Sequence, residues 1–146
     1  MKIESSILIS APASAVYALY ADVANWIDWD PDVKSASING AFTSGSTGEI
    51  VPVGGPKSKI LFDKVVPNRG FHVVCKLPLC TMRFEHDLKA QRNSTEATHR
   101  VVFEGLLAPL FGRLIGNGMR KTQPHALQSL KKVAEMRASE PMLRAA

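Results

Sequence analysis

Two histidines are the titratable side chains best suited to chemistry, because each falls among apolar residues of a predicted strand. Along residues 81–88, TMRFEHDL, polar and apolar residues alternate, so His86 shares one strand face with Met82 and Phe84. There it would be either a neutral histidine satisfied by a neighbour, or an acid/base or hydrogen-bond donor to a ligand carbonyl. His99 lies in a similar pattern and is a second candidate. No other group is predicted beside His86, so a catalytic role would rest on that residue.

The cysteines and the standard enzyme motifs offer little further chemistry. The chain has no P-loop, dinucleotide glycine fingerprint, HExxH, nucleophile elbow or CxxC. His72 and Cys75 are three residues apart on one strand and therefore point to opposite faces, which argues against a shared metal ion. Cys75 lies on the apolar face, as expected of an inert core thiol. Cys75 and Cys80 are the two cysteines of the chain and show no disulfide framework, so we expect reduced thiols and a cytoplasmic protein. Because the motifs above are absent, we expect no metal and no cofactor.

Both tryptophans lie in the segment 22–31, DVANWIDWDP. Asp22 is placed to cap a short helix on which Trp26 and Trp29 face the same neighbour, and Pro31 ends it. Asp28 and Asp30 are expected to point outward. Two alternatives stay open: the pair packs purely in the core at one end of the sheet, or at least one ring lines the mouth of a cavity.

The remaining elements follow from hydrophobic periodicity and turn residues. We predict a first strand over 2–10, a helix capped by Ser10 with Pro12 in its first turn, and the short tryptophan helix. Strands separated by turn signals, which indicate an antiparallel meander, are then predicted over 32–39, 47–53, 57–66, 70–77, 81–89 and 95–104.

Helical periodicity returns at Leu106 and continues to about residue 138. We expect a kink at Pro124 or a break at the glycines 116–118. Thr122 and Gln123 interrupt the apolar stripe, and a polar side chain on an inward face needs a partner or a cavity, which makes this a place to look for a ligand contact. The tail 139–146 is expected to fray.

Charge and composition exclude some functions. The net charge of +5 arises between Arg113 and Ala146, where seven Lys/Arg face two acids. A solvated helix face explains this, or attraction to an acidic partner or an anionic membrane. No nucleic-acid motif accompanies the charge, and no apolar run approaches the ~20 residues that span a bilayer. We therefore expect neither nucleic-acid binding nor stable membrane insertion.

These elements predict an α+β protein with one domain over 1–138, in which a curved seven-stranded antiparallel sheet wraps a long C-terminal helix and two short helices follow strand 1. One helix cannot fill the concave side of such a sheet, so we expect a ligand cavity.

Several motifs in this order resemble the helix-grip superfamily of START-like lipid-transfer proteins, polyketide cyclase/dehydrases and pollen-allergen-like proteins (SRPBCC). They are IxISAPASAVYAL (7–19), DVANWIDWDP (22–31), GSTG (45–48), VVPNRGF (65–71) and FEGLLAPLF (103–111). The resemblance implies an apolar ligand between sheet and terminal helix. The expected lining residues are Trp26, Trp29, Phe71, Val73, Cys75, Met82, Phe84, His86, Phe103, Leu110, Phe111, Ile115, Met119 and Gln123.

Three functions stay open at this point. The first is a non-catalytic protein, a monomer or weak homodimer, that binds or carries a small hydrophobic ligand such as a lipid, isoprenoid, quinone or polyketide. The second is a cyclase or dehydratase that uses His86 as acid or base. The third is an interaction protein that docks its basic terminal helix on an acidic partner or a membrane.

Overall fold

The structure, a computed structural model, describes residues 1–145, with side chains described for residues 1–140. The described residues form seven strands, three α-helices and one 3-10 helix. In chain order they are β1 (Lys2–Ile9), α1 (Ala13–Ala21), the 3-10 helix (Val23–Asp28), β2 (Val33–Ile38), β3 (Thr47–Pro52), β4 (Ser58–Val66), β5 (Gly70–Leu77), β6 (Cys80–Ala90), β7 (Thr95–Glu104), α2 (Ala108–Leu114) and α3 (Gly116–Ala145).

The strands form one antiparallel sheet in the order β1-β7-β6-β5-β4-β3-β2, which confirms the predicted meander. Because β1 pairs with β7, the first strand joins the far side of the sheet from β2. The register shifts within the β2–β3 pair and within the β4–β5 pair. Such irregularities increase the local twist of a sheet and help it to curve.

One face of the sheet is buried against α3. Every second residue of β7 from Thr95 to Phe103 is buried, as the alternation predicts. Leu127, Leu130 and Ala134 of α3 are almost completely buried and belong to the same core. The helix also contacts β1 through a hydrogen bond, which the Lys131 ammonium donates to the carbonyl of Leu8. The predicted helix-grip architecture is therefore confirmed.

Both predicted helix caps differ in detail. Helix α1 begins at Ala13 with Pro12 in the N-cap position, and Ser10 instead donates its backbone N–H to Glu135 of α3. Asp22 does precede the 3-10 helix, but its carboxylate accepts hydrogen bonds from the side-chain amide of Asn25 at 3.1 and 2.9 Å. In both cases a side-chain or tertiary partner replaces the predicted local cap.

The terminal helix is divided at Ile115, just before the glycines that were expected to break it. Helix α3 then runs without interruption through Pro124, which is exposed, so that water can replace the missing hydrogen bond to the carbonyl of Arg120. Most of the segment 139–146, which we expect to fray, lies outside the residues whose side chains are described. The fraying therefore stays a prediction.

Candidate functional site

A cavity of about 280 Å³ lies between the concave face of the sheet, the 3-10 helix and the first half of α3. Most of its lining is apolar, with polar groups at a few positions. The lining residues are Trp26, Trp29, Asp30, Asp32, Val33, Ile50, Pro52, Ser58, Ile60, Phe71, Val73, Cys75, Met82, Phe84, His86, His99, Arg100, Ile115, Met119, Thr122, Gln123 and Ala126.

The two tryptophans, Trp26 and Trp29, are buried, and both border the cavity. The Trp26 ring stacks on Phe71 with centroids 5.5 Å apart. The two indole N–H groups donate to the carbonyls of Tyr20 and Leu19 at 2.9 and 3.4 Å. These bonds fix the 3-10 helix to the end of α1, so that both rings form a rigid wall of the cavity.

His86 and His99 lie side by side at the cavity, because residues 86 and 99 are directly paired across β6 and β7. Their ring centroids are 4.5 Å apart in an edge-to-face arrangement. His86 stacks on Phe71 with centroids 4.1 Å apart and an interplanar angle of 4°. The expectation that no second group lies beside His86 was therefore wrong, because cross-strand register decides this proximity and periodicity along one strand does not.

The third member of this cluster is Tyr20, whose hydroxyl is joined to His99 Nε2 by a hydrogen bond of 2.9 Å. Helical spacing predicts that Tyr20 is buried, and a buried tyrosine needs a polar partner, so the sequence held a signal for this contact. His86 differs from His99, since its Nδ1 is buried without a hydrogen-bond partner in the described part of the chain. The Nδ1 atom itself is shielded, but His86 as a residue is half-buried and borders the cavity, so its accessible atoms can contact a ligand.

Both imidazoles are held in the neutral form. Burial lowers the pKa of His99 to about 3. Burial, followed by the adjacent His99, places the pKa of His86 well below its ordinary value. Burial also raises the pKa of Tyr20, so that this hydroxyl stays protonated. Around neutral pH the cluster consists of uncharged groups that can accept or donate hydrogen bonds.

Asp30 departs from its predicted outward orientation. It is half-buried and borders the cavity together with Asp32, because the chain turns after the 3-10 helix. The Asp30 carboxylate accepts a hydrogen bond of 3.0 Å from the backbone N–H of Asp32. Burial nevertheless raises the pKa of Asp30 to about 6. The sequence gives its position after the tryptophan helix but not the direction of this turn.

Gln123 lies at the cavity as expected, but its amide is satisfied by the protein. Its Nε2 donates to the carbonyl of His99 at 3.0 Å, and its Oε1 accepts a bond of 3.0 Å from the hydroxyl of Ser5. These bonds join α3 to β7 and β1 across the buried interface. Gln123 therefore closes the cavity wall and has little spare hydrogen-bonding capacity for a ligand.

Most of the predicted lining residues meet at the cavity, and three do not. Leu110 points away on α2 with 49% of its surface exposed, because the break at Ile115 turns this helix away from the stripe of α3. Phe103 is buried in the core, and Phe111 is half-buried and packs against this core. The ligand-binding role of the other residues stays a prediction.

On the opposite face of the sheet, His72, Glu85 and Asp87 lie close enough to hold a metal ion, with their ligand atoms within 4.8 Å of one another. The guanidinium of Arg100 already binds both carboxylates, at 2.6 Å to Glu85 and 3.2 Å to Asp87. A fixed positive charge on both acids opposes a metal ion there. Cys75, on the cavity side, has a pKa that burial raises, as expected of an unreactive thiol.

Comparison with known proteins places the chain in a family. The model of the family described as polyketide cyclase/dehydrase and lipid transport matches residues 1–135. A search of curated proteins finds no match. Within residues 1–145, no helix has the length and apolar character needed to cross a membrane.

Similar solved structures share the fold at low identity. The di-domain ARO/CYC BexL from the BE-7585A biosynthetic pathway has a TM-score of 0.71 and 18% identity, covering 90% of this chain and 45% of that chain. TTHA0849 from Thermus thermophilus has a TM-score of 0.71 and 15% identity, covering 96% and 100%. Ara h 8.0201 has a TM-score of 0.66 and 14% identity, covering 92% and 97%. The chain thus spans less than half of BexL, and these likenesses establish the helix-grip fold alone.

Proposed function

This chain belongs to the polyketide cyclase/dehydrase and lipid-transport family, and from this premise we propose that it binds a small, largely apolar and uncharged molecule between the sheet and α3. The family fold supports hydrophobic ligand binding in general. The observation that carries the proposal for this chain is the mostly apolar cavity that the neutral His86 and His99 border.

The size and lining of the cavity support a small guest. Ligand pockets run roughly 300–1,000 Å³, and the volume here, about 280 Å³, is just below that range. Aromatic and thioether side chains such as Phe84, Met82 and Met119 offer adaptable apolar contact. A compact ring system fits these walls better than a long acyl chain.

The charges around the cavity favour a neutral guest over an anion. Asp30 and Asp32 present carboxyl groups, and His86 and His99 are uncharged. Arg100 also borders the cavity, but its guanidinium is held on the opposite face of the sheet by carboxylates that include Glu85. A ligand carboxylate would therefore lose hydration without gaining a cation, whereas a phenol, enol or ketone needs only a hydrogen bond from the imidazole cluster.

The test is isothermal titration calorimetry with naphthalene, 2-naphthol and 2-naphthoate, which differ only in the polar group. We expect 2-naphthol to bind roughly two- to tenfold more tightly than naphthalene, which is the worth of one hydrogen bond. We expect 2-naphthoate to bind more weakly than 2-naphthol by on the order of tenfold or more, because its charge must be desolvated.

The matched variants are His86→Phe, which keeps the stack on Phe71, and His125→Phe on the exposed side of α3. The first should remove the advantage of 2-naphthol over naphthalene, and the second should preserve it. Failure of all three probes to bind, or tightest binding of the carboxylate, would refute the proposal.

A second candidate is a cyclase or dehydratase reaction in the same cavity, favoured by the contact between His86 and the His99–Tyr20 pair. A neutral imidazole can remove a proton from carbon, and a hydrogen-bonded neighbour can stabilise the enolate oxygen. Incubation with a poly-β-keto thioester, followed by mass spectrometry, would detect loss of water on ring closure. Turnover that persists in a folded His86→Ala variant would exclude this mechanism.

A further inference from the structure

Four exposed leucines form an apolar surface at the end of the molecule that carries the β5–β6 turn and α2. Leu79, Leu106, Leu110 and Leu114, here called the leucine patch, are 65%, 83%, 49% and 69% exposed. Leu79 and Leu106 line one shallow surface groove, and the Leu107 N–H donates to the Leu79 carbonyl at 3.0 Å. Leu110 and Leu114 lie one turn apart on α2. Large exposed apolar patches usually mark interaction sites.

Helix α2 reverses the usual arrangement of a surface helix. It buries its small residues, Ala108 and Gly112, and presents Leu110 and Leu114 to solvent. Leu79 adds a second anomaly, because it has a φ of 53°, a left-handed conformation that is unfavourable for leucine. The backbone thus holds an apolar side chain outward at a position that a glycine or asparagine would suit better.

The segment that contains and follows the last three leucines of the patch is basic. The sequence has no acid between Glu104 and Glu135, a segment that contains five Lys/Arg. Four of these, Arg113, Arg120, Lys121 and Lys132, are exposed and have no ion-pair partner among the described residues, and the first three lie within seven residues of Leu114 in the sequence. Glu104, the acid at the edge of the groove, lies 4.0 Å from the guanidinium of Arg83. Exposed leucines with neighbouring unpaired cations are the pattern of segments that lie on anionic membranes.

We propose that the leucine patch, with Arg113, Arg120 and Lys121, docks the protein reversibly on the surface of an anionic phospholipid bilayer. The leucines would enter the boundary between headgroups and acyl chains, and the cations would lie among the anionic headgroups. Residues Ile115 and Met119, immediately after the patch, line the cavity. Docking therefore places this wall of the cavity next to the lipid, although the proposal does not require that the cavity bind a ligand.

The experiment is flotation of the full chain with phosphatidylcholine vesicles that contain phosphatidylserine, compared with phosphatidylcholine alone. We expect binding to the mixed vesicles that weakens as salt is raised. Leu110→Ser with Leu114→Ser should reduce the partition by tenfold or more, because a leucine loses most of its apolar contact with lipid. Arg120→Gln and Lys121→Gln should each reduce it by about fivefold, the effect of one basic residue near such a surface.

The matched controls are Val53→Ser and Lys34→Gln, which change an exposed apolar side chain and an exposed cation on other elements. Both should bind the vesicles as the unchanged protein does. Equal binding to both kinds of vesicle, no binding, or full binding by the leucine variants would overturn the proposal. Self-association that the leucine changes abolish, without vesicle binding, would also overturn it and assign the patch to a second copy. Naphthol binding should be unaltered in every variant, which separates this test from that of the cavity.

Discussion

Acid should destabilise this protein through His99, which is buried in its neutral form. The pKa of His99 is about 3 in the fold, whereas its ordinary value is 6.5. Below about pH 6.5, His99 is therefore protonated in the unfolded chain but stays neutral in the folded chain. Stability is lost as the pH falls toward 3. Between pH 8 and pH 5 this single group removes about 2 kcal/mol from the free energy of unfolding.

Two other groups modify the total. His86 acts in the same direction, because its pKa is also lowered. Asp30 acts in the opposite direction, since its pKa is raised to about 6 and the folded chain takes up a proton before the unfolded chain does. Between pH 8 and pH 5, protonation of Asp30 adds about 1 kcal/mol to the free energy of unfolding. The contribution of His99 must therefore be isolated by substitution, not taken from the total pH dependence.

The assay is urea unfolding followed by tryptophan fluorescence at pH 8 and pH 5, applied to the unchanged protein and to His99→Gln. The variant is expected to be less stable at pH 8, because its bond to Tyr20 is altered, but to lose about 2 kcal/mol less on acidification. His125→Gln, an exposed histidine on α3, serves as the control and should not change the difference. An equal loss of stability in His99→Gln and the unchanged protein would refute this reasoning.

Three further predictions concern stability and are measured by urea unfolding. Leu127→Ala should cost about 2–5 kcal/mol, because Leu127 is 1% exposed in the core, whereas Leu114→Ala should change little. Gly70→Ala should destabilise strongly, since its φ is 133° and a Cβ would lie 1.9 Å from the His86 carbonyl oxygen. Gly118→Ala, in open space on α3, should instead stabilise by about 1 kcal/mol. Asp30→Asn should stabilise at pH 8 by up to about 3 kcal/mol, with a gain that vanishes toward pH 4, and a constant effect across this range would contradict the raised pKa.

The fold could be predicted because its signals are local. Alternation along β6 and β7, glycine- and proline-rich turns between strands, and the helical stripe from Ala126 to Val133 each determine one element. Antiparallel pairing of consecutive strands then follows from the short turns. These local signals did not give the caps, the position of the break at Ile115 or the pairing of β1 with β7.

The site was less accessible to sequence reasoning because it depends on contacts between distant residues. The alternation of side chains along β6 predicts that His86 lies on the concave face, but its contact with His99 depends on the register of β6 against β7. The inward turn of Asp30 follows from how the chain leaves the 3-10 helix. Leu110 belongs to the apolar stripe in the sequence, yet it is exposed because a change of helix direction separates α2 from α3.

The most direct test of ligand binding in the cavity is methionine-methyl NMR of the protein during addition of 2-naphthol. Met82 and Met119 line opposite walls of the cavity, on the sheet and on α3, and Met136 is 59% exposed elsewhere on α3. Binding in the cavity predicts that the signals of Met82 and Met119 shift together along one saturable curve while that of Met136 stays in place. Saturable binding that leaves both cavity methionines unshifted would contradict the proposed ligand site.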